Sequence, residues 1–215
     1  MLRIDGLDVS IASVGILRGV SMDVPTGKFV GLIGRNGAGK TTLMRSVMGI
    51  LPALQGSISF EGSALGKMPV HQRARSGIGY MPEDRRLVPS LTVEENVLIP
   101  AWSARVADPS ARLADVYNMI PEVAAFSERK ALQLSGGQQK LVALARALMC
   151  GTKLLLLDEP FEGVAPVLAK RLAEVIAGLK QRGLSIVLTE SDLSHSRELL
   201  DLIYSIDRGH VSVVS

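Results

Sequence analysis

The sequence predicts an α/β fold: a mainly parallel sheet built around a phosphate-binding loop, with an N-terminal antiparallel β layer and an inserted α-helical subdomain. Three observations carry that prediction. The apolar run Phe29-Val30-Gly31-Leu32-Ile33 leads straight into Gly34-Arg35-Asn36-Gly37-Ala38-Gly39-Lys40-Thr41-Thr42, the strand, loop and helix order that such a loop needs. Beyond residue 133, strand-length apolar runs alternate with helical runs, which implies right-handed crossovers between parallel strands. Before that, from residue 84 to 132, strand signals fade and Pro100, Pro109 and Pro121 divide a helical stretch. One domain of 215 residues is expected, with 1–83 and 133–215 as the core and 84–132 as the helical subdomain.

In chain order, Leu2 to Val9 and Leu17 to Val24 alternate like half-buried strands, and Pro25-Thr26-Gly27 turns the chain into the phosphate-loop strand. Glycines 34, 37 and 39 free the backbone to close its N–H groups around an anion, and a helix beginning near Gly39 aims its positive end at the same point. Lys40 would reach the terminal phosphates, and Thr41 would offer its hydroxyl to Mg²⁺. Ser57 to Phe60 is a short strand reached through the breaks at Pro52 and Gly56. Val70 to Ser76 is read as a helix and Ile78 to Met81 as a strand ended by Pro82.

In the helical stretch, Thr92 or Ser90 caps a helix from Val93, and Asp108-Pro109 opens another that runs through Ile120. Trp102, the single tryptophan, is expected to serve packing. Leu134-Ser135-Gly136-Gly137-Gln138 precedes a helix with Leu141, Leu144, Ala145 and Leu148 on one face, and Ser135 with Gln138 satisfies the capping-box spacing. Taken alone, the pentapeptide reads as a structural cap.

Leu154 to Leu157 is apolar enough to be buried on both faces of a sheet, and it delivers Asp158 and Glu159 at the C-terminal end, where parallel sheets place ligand sites. With a phosphate loop upstream, Asp158 is assigned to Mg²⁺ and Glu159 to polarising the water that attacks the γ-phosphate. Leu168, Leu172, Val175, Ile176 and Leu179 stripe the next helix, which Gly183 ends. A strand from Leu184 to Leu188, a helix from Asp192 to Leu200, and strands Leu202 to Ile206 and Val211 to Val214 close the chain.

Composition narrows the function classes. No apolar run approaches the roughly 18 residues of a membrane span, and Arg3, Asp5 and Asp8 interrupt the start where a signal peptide needs apolar sequence. A cytoplasmic chain is expected. The net charge of +3 is dispersed apart from short clusters such as Arg85-Arg86 and Lys170-Arg171, which argues against a nucleic-acid surface. Cys150 is the single cysteine, and His71, His195 and His210 share no metal-ligand spacing, so no disulfide or structural metal is expected.

The phosphate loop, the LSGGQ segment at 134–138 and the LLLLDEP segment at 154–160, in this order, resemble the nucleotide-binding subunit of ATP-binding-cassette transporters, a branch of the P-loop NTPases. Within that family the segments Phe161-Glu162-Gly163-Val164-Ala165-Pro166 and Pro89 to Asn96 are most similar to ATPase subunits of branched-chain amino acid importers. The resemblance implies ATP and Mg²⁺ as ligands, and a pair of nucleotide subunits arranged head to tail. Ser135, Gly136, Gly137 and Gln138 of one subunit would then act in trans on nucleotide held by the loop of the other. It also implies integral membrane permeases as partners, no nucleic acid, and attachment to the inner face of the cell membrane through those partners. The second subunit would be another copy or a paralogue. An ATPase of this superfamily working outside transport, and a regulatory subunit with little catalysis, are the alternatives.

Three positions depart from the family pattern. No aromatic lies between Ile11 and Ile16, where relatives carry one that stacks on adenine, a contact worth about 1–3 kcal/mol; ATP is still expected to bind, with weak base discrimination. Glu83 stands where relatives have a metal-touching glutamine. A carboxylate there would hold Mg²⁺ but repel the γ-phosphate by roughly 4 kcal/mol for charges about 4 Å apart, and a plain Pro82-Glu83-Asp84 turn is the other reading. Ser191 stands in the place of a histidine that bonds the γ-phosphate, so it enters the catalytic set with Glu159 and Lys40, or else only caps the following helix. Losing a donor of that kind costs about 10²- to 10³-fold in rate, so slow intrinsic turnover, raised by the membrane partner, is expected.

Overall fold

The computed structural model describes residues 1–214. Alternating burial along the first strands folds them into a hairpin: β1 (Leu2–Ile11) and β2 (Val14–Val24) pair antiparallel and turn through Ala12 and Ser13, both at positive φ. β4 (Gln55–Phe60) adds antiparallel to the free edge of β1, and the two-residue β5 (Ser63–Ala64) completes a sheet ordered β2-β1-β4-β5. This is the expected antiparallel layer, with strands longer than the sequence reading because the ladder continues through the pairs Ser10–Gly15 and Ile11–Val14 up to the turn.

The second sheet has the order β10-β9-β3-β8-β7-β6. Its strands are β3 (Phe29–Ile33), β6 (Ile78–Met81), β7 (Leu154–Asp158), β8 (Ser185–Glu190), β9 (Leu202–Asp207) and β10 (His210–Val213). All pairings are parallel except β9 with β10. The leucine run of β7 shows why the sheet is central. Leu154 and Leu156 face the cluster formed with the antiparallel layer, while Leu155 and Leu157 face the cluster formed with the helices, so every residue of the strand is buried.

α1 (Lys40–Val47) packs with the antiparallel layer. α3 (Val93–Ala104), α4 (Pro109–Met119), α5 (Pro121–Ala125), α6 (Gly136–Cys150) and α7 (Pro166–Gln181) contribute to one continuous core on the other side. The short α2 (Val70–Arg75) carries Arg73, whose buried guanidinium donates to the carbonyls of Ser46, Val47, Leu65 and Met68. It thereby gathers the exit of α1 and the loop after β5. Gly49 lies against that side chain at φ 75°, where an added Cβ would come within 2.9 Å of the guanidinium atoms.

Three sequence expectations need correction. Pro100 does not divide the helical stretch: it lies inside α3, which the Thr92–Glu95 capping box and the burial of Val93, Val97, Ala101 and Ala104 hold together despite one missing hydrogen bond. Trp102 is 56% exposed, because the buried positions 93, 97, 101 and 104 put residue 102 on the outer side of α3. The expected face of α6, Leu141, Leu144, Ala145 and Leu148, is buried, and burial extends around the helix to Lys140, Val142 and Ala143. Asp192 to Leu200 forms no α-helix: the Asp192 carboxylate takes the Ser194 N–H at 2.7 Å as a tight turn, leaving a single 3-10 turn at Arg197–Leu199.

Candidate nucleotide site

At the C-terminal edge of the parallel sheet the chain leaves β3 through Gly34, where an added Cβ would lie 2.3 Å from the Ile206 carbonyl oxygen. Gly37 (φ 82°) and Gly39 (φ 117°) then bend the loop into α1, whose first-turn N–H groups receive no side-chain cap. Arg35 and Ala38 close the loop by a backbone bond of 3.1 Å. Above it lies a cavity of about 410 Å³ lined by loop residues Asn36, Gly37 and Gly39 to Thr42, together with Ile16, Glu83 and Glu159. The sequence-predicted loop, the carboxylate after β7 and Glu83 therefore share one space.

Lys40 is 5% exposed and central to it. Its ammonium donates to the Gly34 carbonyl and, at 3.2 Å, to that of Arg35; it pairs with Glu159 at 2.8 Å and reaches the Ser191 hydroxyl at 3.5 Å. Ser191 also lies 2.9 Å from Asn36 Oδ1 and 3.0 Å from Glu159 Oε1. It is thus drawn into the site and does not cap a helix. Glu159 Oε2 is buried with no partner among the described residues. The carboxylate therefore keeps acceptor capacity beyond its bonds to Lys40 and Ser191, as a water-polarising group requires.

Asp158 is fully buried and accepts from Thr41 at 3.2 Å, Thr189 at 2.8 Å and Tyr80 at 3.1 Å. Burial raises its pKa, and the charge of Glu159 adds to the rise, while the three hydroxyl donors oppose it. Tyr80 is also pushed up, by burial first and then by Asp158, so it stays a donor. Thr41 and Asp158, already joined, can open to hold a divalent ion between hydroxyl and carboxylate. Glu83 lines the cavity with its carboxylate bonded to no described residue.

Backbone geometry fixes Glu159. It adopts left-handed φ 49° just before Pro160, its N–H meets Thr189 Oγ1 at 3.1 Å, and its carbonyl accepts from Lys140 at 2.7 Å. Ser135 to Gln138 stand apart from this cavity. Ser135 and Gln138 form the reciprocal capping box that opens α6, and an added Cβ at Gly137 would lie 2.2 Å from Leu168 Cδ2.

Sequence reasoning missed Tyr80, Thr189, Lys140 and Glu190. Tyr80 and Thr189 sit in apolar strands on either side of β7, and only the strand order places them beside Asp158. Glu190 is 7% exposed at the end of β8, with its pKa pushed up to about 8 by burial and by Glu159.

The ABC transporter family model matches residues 17–162. The chain is 36% identical over 211 residues to the high-affinity branched-chain amino acid transport ATP-binding protein BraG of Pseudomonas aeruginosa, covering 98% of this chain and 91% of that protein. It is 32% identical to the lipopolysaccharide export system ATP-binding protein LptB of Haemophilus influenzae, covering 98% and 88%. Among solved structures, the ADP conformation of an ATP-binding cassette of an ABC transporter superposes with a TM-score of 0.85 at 28% identity, covering 99% of this chain and 89% of that one.

Proposed function

This chain belongs to the ABC transporter family and is an ATP-hydrolysing subunit of such a transporter; from that premise we propose that it energises import of branched-chain amino acids or a similar small polar solute, using the cavity over residues 34–42. The observation that carries the catalytic part is that Lys40, Thr41 and Glu159 line one cavity at the end of a parallel sheet, with Asp158 bonded to Thr41 just beneath it. The likeness to BraG and the match of Pro89 to Asn96 and Phe161 to Pro166 favour the importer reading, while the similarity to LptB shows that cargo varies among relatives of comparable identity.

Residues 36–42 would receive the phosphates of ATP on the backbone N–H groups at the start of α1. Lys40, now shared among two carbonyls and Glu159, would turn to the β- and γ-phosphate oxygens. That exchange releases Glu159 from its cation and leaves its carboxylate free to accept a proton from the attacking water. Thr41 and Asp158, with Glu83 at the rim, would hold Mg²⁺. Mg²⁺ supplies neutralisation of phosphate charge when bound. Ser191 would donate to the γ-phosphate with a shorter reach than a histidine.

Ser135, Gly136 and Gly137 of a second subunit would complete the cage from across the interface, with hydrolysis reopening it. A further cavity of about 270 Å³ lies between core and helical lobe, with Ile50, Val70, Ile99 and Pro100 in its wall. Its apolar character suits a permease segment.

Glu159→Gln tests the catalytic core of the reading. It is expected to abolish ATP hydrolysis while retaining nucleotide and trapping an ATP-bound dimer on size-exclusion chromatography; parental hydrolysis would remove Glu159 from the chemistry. Gentle purification from membranes followed by mass spectrometry tests the transport part. Permease subunits should accompany the chain, and purely soluble partners would overturn it.

A further inference from the structure

A buried ammonium lies outside everything assigned above. Lys140 stands on α6, 2% exposed, and instead of extending its amine to solvent, as lysines on helix surfaces do, it donates to the Glu159 carbonyl at 2.7 Å. That carbonyl belongs to the left-handed residue before Pro160 and has only the Glu162 N–H, at 3.2 Å, as its other donor. Burial drives the Lys140 pKa down and nearby Arg85 adds to the fall; Glu190, Glu162 and Glu83 oppose it. Glu190 is the buried one of these carboxylates, and its Oε1 has no partner among the described residues. A charged group kept inside at that cost marks a constrained position.

The helix that carries Lys140 also carries Ser135, Gly136 and Gly137 at its start, about one turn away. Arg85 ties that start down through the Gly136 carbonyl at 3.2 Å and Gln139 Oε1 at 3.1 Å. One rigid element therefore joins the segment that would act on the other subunit's nucleotide with the backbone of Glu159 in this chain's own site.

We propose that Lys140 is a positioning residue for hydrolysis: by holding the Glu159 carbonyl it aims the Glu159 carboxylate, and through α6 it makes that aim depend on where Ser135 to Gly137 sit. The role rests on the reading of Glu159 as the group that polarises water. It predicts an effect on turnover without one on nucleotide capture, because the Lys140 amine bonds to the Glu159 carbonyl and not to the phosphate loop.

Lys140→Met keeps the length of the side chain and removes the donor and charge. Steady-state ATP hydrolysis should show kcat reduced by about tenfold or more, with KM within about twofold of the parent and thermal melting unchanged. Lys140→Gln, which keeps an N–H donor of shorter reach, should recover part of kcat. Parental kcat in folded Lys140→Met overturns the proposal. A fall in kcat joined to a rise in KM in both variants also overturns it, since that is the mark of a strut for the whole pocket. Should Lys140→Met not fold, Lys140→Gln decides alone: reduced kcat at unchanged KM supports the role, and parental kcat overturns it. Glu159→Gln, assayed alongside, separates the two readings. If it still hydrolyses ATP, the role of Glu159 falls and the positioning role with it; if it does not while Lys140→Met does, only the positioning role falls.

Discussion

Ser191 bridges Lys40, Asn36 and Glu159 with one hydroxyl. Ser191→Ala should lower kcat by about tenfold, the worth of one hydrogen bond to a charged partner, whereas Ser191→His should raise the turnover of the isolated subunit if reach to phosphate limits it. Single-turnover kinetics on both variants check this. Ile16 is the side chain from the end of the stretch without aromatics that lines the nucleotide cavity, so base stacking contributes little there. GTP should compete with ATP within about threefold, and a much weaker competition by GTP would contradict it. Glu190 carries a pH signature of its own. Its folded pKa is raised, so its neutral form is the one the fold favours; the stability this gives is full below the ordinary glutamate range and is lost as pH rises through about 8. Melting temperature should therefore fall between mildly acid pH and pH 9, and Glu190→Gln should flatten that fall. The Glu190 shift was not legible in the chain, since it needs burial at the end of β8 beside Glu159 and Lys140, both far away in sequence.

Elements whose period matched their burial were readable from the chain alone. β3 and β6 begin and end where the apolar runs do, and β7 ends at the carboxylates, because a strand covered on both faces needs continuous apolar residues and Pro82 and Pro160 stop two of them. The elements misjudged were those decided by contacts between distant segments. α3 runs through Pro100 because packing against α6 outweighs the local break, and the segment after Ser191 stays a turn because the Asp192 side chain competes for the backbone N–H groups a helix would use. Arg73 shows the same dependence in energetic form. Arg73→Met should cost about 3 kcal/mol, seen as a lower denaturation midpoint, because it strands carbonyls of α1 and of the loop after β5. Asn96 is fully buried and both donates to and accepts from Val88, so Asn96→Ala should loosen the entry to α3 by roughly 1–3 kcal/mol, measurable as faster amide exchange in residues 88–92.

At the scale of the molecule, the phosphate loop and the two carboxylates were legible because the chemistry needs those residue types at fixed spacing and each lies at a strand end. The tyrosine and threonine that hold Asp158 were not, since strand order alone sets them beside it. ATP should convert the monomer to a dimer in Glu159→Gln, and adding Gly137→Asp should prevent it, because in the proposed dimer that carboxylate would oppose the γ-phosphate held by the other subunit. Static light scattering with and without ATP checks this. The outward-facing indole on α3 adds a practical dividend. Trp102 is the sole tryptophan of the chain and stands 56% exposed on α3, so excitation at indole wavelengths reads the surface of that helix and nothing else. Its emission should be red-shifted and readily quenched by iodide in the free subunit. Any protein that covers this face of α3 will shift that emission to the blue, giving a label-free optical titration of docking in the unmodified chain.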